Sequence, residues 1–333
     1  MADLPASSRF VLTGPSGWIG RAMLDALARA CGGQLDGRVL AFGSQERSLT
    51  LASGERLNVR ALEAIEPDDV AAAHVIHLAY LTKEKADQLG EPAFSATNDA
   101  IDDALLAAID SAGPASLFVA SSGAASLAER GLDRHPYGLA KLRQEARFLE
   151  WGAGTGVPVL AGRIFNIAGP HINKVRSYAI SDFAMQARER CEINIEAQVP
   201  VFRSYLHVDD LCALVIGAAL QGAGRDRPID LCGAEVVEME DLAALVAEAS
   251  HNSPTINRPP VDYTRPSLYL GAHAQTKVLA MELGERLSAL PLQVKDTIAW
   301  LDRAGVMQHW EEPRVERQLI ANAGAVKASK MVG

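Results

Sequence analysis

Residues 10–20 read FVLTGPSGWIG. Phe10–Leu12 has the apolar run expected at the end of a buried strand. Thr13-Gly14-Pro15-Ser16-Gly17-Trp18-Ile19-Gly20 comes next, and Arg21–Ala30 is a helix-forming run. A strand, a glycine-rich turn and a helix in this order make a phosphate cradle. Gly14 permits the tight turn, Gly17 lets a pyrophosphate approach the backbone, and Gly20 lets the helix pack close to the strand. The helix N-terminus adds N–H donors and the positive end of its dipole. Gly14, Ser16, Gly17, Trp18 and Ile19 are therefore the candidate residues around a dinucleotide. Three turn glycines with no ligand would look the same, so the assignment needs support from the rest of the chain.

A chain of 333 residues with 48% hydrophobic content is long for one small domain and suits a two-part α/β enzyme. The net charge of −9 comes without a basic stripe, which argues against a nucleic-acid partner. No apolar run reaches about 18 residues, so no membrane span is expected. Cys31, Cys191, Cys212 and Cys232 are scattered and form no Cys-x-x-Cys pair, so neither a metal site nor a redox motif is indicated. Cys31, Cys212 and Cys232 lie in apolar surroundings and read as buried thiols. That usage, and an opening MADLPASSR without a charged or apolar leader region, predict a cytoplasmic protein.

Arg38–Gly43 reads as the second strand and is followed by Ser44 and Arg47, with no acid until Glu46. An acidic residue here would hold an adenosine ribose 2′-OH, whereas a small residue with a nearby arginine accommodates a 2′-phosphate. The chain therefore leans towards NADP over NAD, with Ser44 and Arg47 as candidates; a solvated loop charge is the other reading of Arg47. Leu49–Val59 reads as a hairpin turning at Ser53-Gly54. His74–Leu78 is a buried strand ending at Ala79, and His77 reads as a satisfied core histidine. Lys83–Gly90 is a loop or helix start, and Ala96–Ala112 a long helix. Ser116–Ala120 is a strand that presents Ser121 and Ser122 at the carboxyl edge of a parallel sheet, where ligands bind.

His135–Lys141 reads HPYGLAK. Four-residue spacing on a helix puts Tyr137 and Lys141 on one face. A tyrosine with a pKa near 10 is a poor acid or base at neutral pH. A neighbouring ammonium favours the phenolate and is expected to lower that value. Val157–Ile164 is a further strand, leading into RIFNIAGP over 163–170. Tyr178–Glu192 is a helix, 193–200 is irregular, and VFRSYLHVDD occupies 201–210. Asp209-Asp210 open the helix Leu211–Leu220 as structural carboxylates. Ile229–Cys232 is a short strand, Glu238–Ser250 an amphipathic helix, and Pro254–Arg265 a proline-rich loop.

The Gly-x-x-Gly-x-x-Gly turn, the Ser-Ser strand end, Tyr-x-x-x-Lys, RIFNIAGP and VFRSYLHVDD occur in one order between Phe10 and about Ala304. Together they resemble the short-chain dehydrogenase/reductase superfamily, in its extended branch of NAD(P)-dependent epimerases, dehydratases and reductases. The resemblance implies an α/β fold: a Rossmann-type doubly wound parallel sheet with a smaller C-terminal substrate-binding lobe. It divides the chain into a nucleotide-binding domain at 1–170, rejoined by 203–232, a lobe at 171–202 and 233–312, and a tail at 313–333. It assigns Ser122, Tyr137 and Lys141 as catalytic, with Ser121 as the fallback serine. Leu78, Ala79, Asn98 and Phe165 then lie against the cofactor. Asn166, Arg203 and Arg265 bind the diphosphate of a nucleoside-diphosphate sugar, since paired guanidinium forks match phosphate oxygens. His171 is either a second acid near the sugar or a surface histidine.

The departures from the family pattern narrow the reaction. Ile101 and Asp102 stand where the family has Gly-Thr after the asparagine, and Ser204 replaces an aspartate. Gly123-Ala124 replaces the Asp-Glu pair of 4,6-dehydratases, and Ala124 replaces the cysteine of epimerase-reductases. A nucleotide-sugar ketoreductase or a 4-epimerase remains, with the NADP lean tipping towards reductase. A reductase of a non-nucleotide carbonyl compound and a non-catalytic NAD(P)H sensor are the alternatives. The resemblance further implies a homodimer paired through the helices 96–112 and 137–150.

Overall fold

The computed structural model describes residues 4–306 except residue 6; the expected tail at 313–333 lies outside the described residues. Strand β1 (Phe10–Thr13) is wholly buried, and α1 (Trp18–Ala30) follows it. Next come β2 (Val39–Gly43), β3 (Arg47–Thr50), β4 (Arg56–Ala61), α2 (Pro67–Val70), β5 (His74–His77), α3 (Lys83–Leu89) and α4 (Glu91–Ala112). The middle of the chain supplies β6 (Ser116–Ser122), α5 (Gly123–Glu129), α6 (Pro136–Thr155), β7 (Val159–Ile164), β8 (Asn166–Ala168) and α7 (Ala179–Arg190). The last part supplies β9 (Glu192–Asn194), β10 (Val201–His207), α8 (Val208–Gln221), β11 (Ile229–Leu231), β12 (Val236–Glu238) and α9 (Met239–Ala249). Finally β13 (Thr255–Asn257), β14 (Ser267–Tyr269), α10 (His273–Leu283) and α11 (Leu290–Val306) complete the described chain.

Eight strands form one sheet in the order β11-β7-β6-β5-β1-β2-β4-β3, parallel throughout except for the β3–β4 hairpin. The chain runs outward from β1 to β2 on one side and returns to build β5, β6 and β7 on the other. The topological switch therefore falls beside β1, where open α/β sheets bind ligands. A smaller sheet has the order β12-β10-β14, with β8 also on β10. Within 203–232 both α8, which packs on β5, β6 and α1, and β11 return to the large sheet, while β10 is the spine of the small one. A parallel β9–β13 pair lies in stretches that read as irregular from sequence, because three-residue strands carry too few positions for an alternation. No helix among the described residues is long and apolar enough to cross a membrane.

The first turn shows why its glycines stand where they do. Gly14 has φ +72°, and a Cβ there would lie 2.8 Å from the Ala79 nitrogen. A Cβ on Gly20 would lie 2.2 Å from the Gly14 carbonyl oxygen. By contrast, nothing but that oxygen, 3.8 Å away, approaches a Cβ built on Gly17, so the mouth of the turn is open. Thr13 locks the turn to the end of β5, its Oγ1 accepting from the Leu78 and Ala79 amides at 3.1 Å each. Cys31, Cys212 and Cys232 are buried, as their apolar neighbours predict.

Candidate active site

The strand end of β6 and the first turn of α6 meet beside the switch point. Ser122 is the N-cap of α5, and its Oγ accepts from the Ala124 amide at 3.2 Å. His135 caps α6, its Nδ1 accepting from the Tyr137 amide at 3.1 Å. A Cβ on Gly138 would lie 2.7 Å from the Ala124 carbonyl oxygen, so α6 packs tightly on α5. This brings the Tyr137 hydroxyl to Ser122, with which it hydrogen-bonds. The ring of Tyr137 packs with Tyr80 and Phe94, each centroid 6.4 Å away.

Lys141 is buried one helical turn along. Its Nζ donates to the Ala120 carbonyl at 2.7 Å and to Gln144 Oε1 at 2.9 Å, and lies 3.6 Å from the Tyr80 ring centroid. Burial pushes the Tyr137 phenol up to about 12, against the hydrogen bond to Ser122, and pushes Lys141 down to about 7. The sequence leads one to expect that the ammonium lowers the phenol. Burial instead decides the direction, and Ser122, not Lys141, is the group that opposes it.

A third hydroxyl, which no sequence motif marks, converges on the same point. Tyr269, on β14 of the small sheet, hydrogen-bonds Ser122. Its hydroxyl and the Phe165 ring fill the space a side chain at position 123 would need: a Cβ on Gly123 would lie 2.6 Å from each. Gly123 therefore marks the seating of Phe165 and Tyr269, whose rings pack tilted with centroids 5.0 Å apart. A lone tyrosine on a three-residue strand gives no pattern by which sequence could have found it.

Beside these groups lies a cavity of about 300 Å³ lined by Asn166, Tyr178, Phe183, Arg203, Tyr205 and Met239, among others. Asn166 Nδ2 donates to the Ser204 carbonyl at 3.3 Å. Arg203 donates to the Phe202 carbonyl at 2.8 Å and stands 5.9 Å from the Tyr269 ring centroid; burial lowers its pKa. Arg265 is not part of this cavity. Its side chain is 83% exposed and touches Asp262 at 3.4 Å, because Pro266 turns the chain into β14 only after it. His171 is also spent elsewhere: Nε2 pairs with Asp25 of α1 at 2.9 Å and the ring packs on Trp300 at 4.4 Å. It is neither a surface histidine nor aimed at the cavity.

Ser44 and Arg47 lie together beyond β2, with Arg47 Nη2 3.5 Å from Ser44 Oγ. Arg21, the first residue after Gly20, joins them. Its pKa is lowered by burial and by the charge of Arg47, with Asp25 opposing. The Nε atoms of both arginines are buried without a hydrogen-bond partner. Sequence reasoning misses Arg21 because the rule for the ribose looks only to the residues after β2; its place beside the third glycine was the available signal.

The remaining candidates are divided between side chain and main chain. Trp18 donates its indole N–H to the Pro170 carbonyl at 2.6 Å and meets Tyr178 edge-on, so its side chain serves the lobe. Ile19 and Leu78 pack on the core, and Ala79 on the opposite face. Asn98 is buried with its amide spent on the Leu81 amide at 2.8 Å and the Phe94 carbonyl at 3.0 Å. It shapes the segment that carries Tyr80. The open Gly17 turn, the uncapped N-terminus of α1 and the unpartnered Arg21 and Arg47 nitrogens fit a dinucleotide.

Residues 10–230 match the NAD dependent epimerase/dehydratase family. No curated protein is detectably similar in sequence. Solved structures share the fold. MoeE5, in complex with UDP-glucose and NAD, is 22% identical with a TM-score of 0.65, over 89% of this chain and 99% of its own. RMD from Pseudomonas aeruginosa, complexed with NADPH, is 22% identical with a TM-score of 0.65, over 89% and 100%. The UDP-N-acetylglucosamine 4-epimerase from Methanobrevibacter ruminantium, in complex with UDP-N-acetylmuramic acid, is 17% identical with a TM-score of 0.67, over 91% and 100%. With two thirds of its length matched, and with the turn, strand end and helix pair in the order described, the chain belongs to the NAD dependent epimerase/dehydratase family.

Proposed function

We propose that the protein is an NADP-dependent reductase of a keto group on a nucleoside-diphosphate sugar. The observation that carries the reading is the convergence of Ser122 and Tyr137, with Lys141 one turn along, beside a cavity into which Asn166 and Arg203 project polar groups. When bound, the reduced nicotinamide supplies a hydride to the carbonyl carbon. Ser122 donates a hydrogen bond to the carbonyl oxygen and Tyr137 transfers its proton there, so that an alcohol results. A phenol held protonated by burial suits donation, which is the reductive direction. Lys141 is placed to hold the nicotinamide ribose and to return charge to Tyr137. Arg203 and Asn166 grip the diphosphate, and Tyr269 adds a second donor at the substrate oxygen.

Three similar structures support the class of ligand: their bound molecules include UDP-glucose, UDP-N-acetylmuramic acid, NAD and NADPH. The cofactor choice rests on Arg21 and Arg47. Two guanidiniums held together with unpartnered Nε atoms suit an added anion, and a ribose 2′-phosphate is the anion at this end of a dinucleotide.

The test is to identify the nucleotide retained on purification and to follow NADPH oxidation with UDP-, dTDP- and GDP-4-keto sugars. Nucleotide-free protein that oxidises NADPH with one of them is the expected result. Tightly held NAD with interconversion of 4-epimers would replace reduction by epimerisation. Turnover of simple ketones that is indifferent to Arg203→Ala would discard the nucleotide-sugar assignment.

A further inference from the structure

Behind the catalytic pair runs a buried chain of polar groups that the reduction itself does not use. Thr13, His77, Asp102, Lys141 and Gln144 are all buried. The Thr13 hydroxyl meets His77 Nδ1 at 2.8 Å, and His77 Nε2 meets Asp102 Oδ1 at 3.1 Å. Gln144 Nε2 donates to the same Asp102 oxygen at 2.7 Å, and its Oε1 accepts from Lys141 Nζ at 2.9 Å. Counting donors fixes the directions. Thr13 Oγ1 already accepts from two amides, so its proton goes to His77 Nδ1, and His77 donates from Nε2 to Asp102. Gln144 can lie only one way round: amine to the carboxylate, carbonyl to the ammonium.

A buried ammonium needs a counter-charge. Two carboxylates act on Lys141, Asp102 more strongly than Glu145, and Glu145 shares the one charge of Arg163 with Glu129. Glu145, next on the same side of α6, is held by both Arg163 Nε at 2.9 Å and Arg163 Nη2 at 2.8 Å, and also accepts from Ser121. Tyr80 and Tyr137 are phenols, and Asp99 and Arg143 lie further out beside Tyr80. Asp102 on α4 has no guanidinium or second ammonium of its own among the described contacts.

We propose that Asp102, acting through Gln144, is the fixed counter-charge that favours the ammonium form of Lys141 against its burial. His77 and Thr13 hold Asp102 in place and tie it to the first glycine turn. Asp102 and Gln144 are positioning residues; neither touches the reacting atoms. The importance of the device for turnover rests on the catalytic role proposed for Lys141, but its existence is measurable without any substrate.

The experiment is titration of the intact protein labelled with [13Cε]lysine, followed by NMR, with the Lys141 resonance assigned by its loss in Lys141→Arg. Asp102→Asn keeps an oxygen acceptor for His77 and Gln144 while removing the charge. It is expected to lower the Lys141 midpoint by at least one pH unit. Gln144→Glu introduced together with Asp102→Asn, so that the two carboxylates never face each other, sets the single carboxylate directly on the ammonium and is expected to raise the midpoint above the parent value by a similar amount. It serves alone if the first variant does not fold. Midpoints within 0.3 unit of the parent value in the variants that fold would overturn the proposal. Shifted midpoints in a protein that reduces no keto sugar would leave it standing and retire the function instead.

Discussion

The two sheets of this molecule divide its labour. The large sheet is parallel apart from the β3–β4 hairpin, its inner strands β1, β6 and β7 almost wholly buried, and it delivers the groups proposed to react: Ser122 at the end of β6, with Tyr137 and Lys141 on the helix that packs against it. The small sheet hangs on one seven-residue strand, β10, and three strands of three residues. It delivers Asn166 and Arg203, which line the cavity, and Tyr269, which reaches Ser122. A parallel sheet covered on both faces holds its strand ends rigidly, which suits atoms that must be placed to a fraction of an ångström. A shallow sheet of short strands is easily altered without touching the reaction, which suits the choice of substrate. Mutations on the two sides should accordingly separate into effects on kcat and effects on KM.

The largest effect belongs to the first side. Tyr137→Phe removes the proton donor and should lower kcat by about 10²- to 10⁴-fold while leaving NADPH binding intact. Fluorescence titration with NADPH beside steady-state rates checks it. Ser122 keeps Tyr269 as a partner in this variant, so the fold should stand. Across the seam, Arg203→Ala removes a charged grip on the diphosphate and should raise KM by about 10- to 100-fold with kcat little changed. Equal losses in kcat from both variants would erase the distinction between the sheets. Tyr269→Phe lies on the boundary between them. It should cost about 3- to 10-fold, the worth of one neutral hydrogen bond, and the comparison is sharpened by whether kcat or KM bears it.

The same division explains what sequence could and could not show. The large sheet announces itself because its central strands are apolar runs, and the turns after β1 and β6 have a chemistry that demands particular residues. Gly14 and Gly20 have no room for a Cβ, and Tyr137 and Lys141 have a fixed spacing. His77 reads as a core histidine and is one, bonded on both nitrogens. The small sheet has no such grammar. β14 is Ser-Leu-Tyr, half exposed, and its tyrosine reaches Ser122 only because β14 lies in register with β10, Arg203 opposite Tyr269. That pairing spans 66 residues of chain, which no local pattern encodes. Gly123 and Asp102 stand between these cases. Each is visible in sequence as a departure, but the reason appears only when Phe165 and Tyr269 are found over the one and Gln144 beside the other.

The smallest effect is expected where sequence and structure part most plainly. Arg265 and Arg203 read as a pair of guanidiniums on one diphosphate. In the structure only Arg203 lines the cavity, while Arg265 faces solvent with Asp262 as its single described partner. An exposed ion pair of this kind is worth little, because water and salt screen both charges. Arg265→Ala should therefore change KM by less than about 2-fold, and the effect should not depend on ionic strength. If closure over a substrate swings this residue inward, the variant will instead raise KM as Arg203→Ala does, with a loss that fades at high salt. That outcome would make the small sheet a moving part rather than a fixed wall, and would place its motion at the Asp262–Pro266 bend before β14.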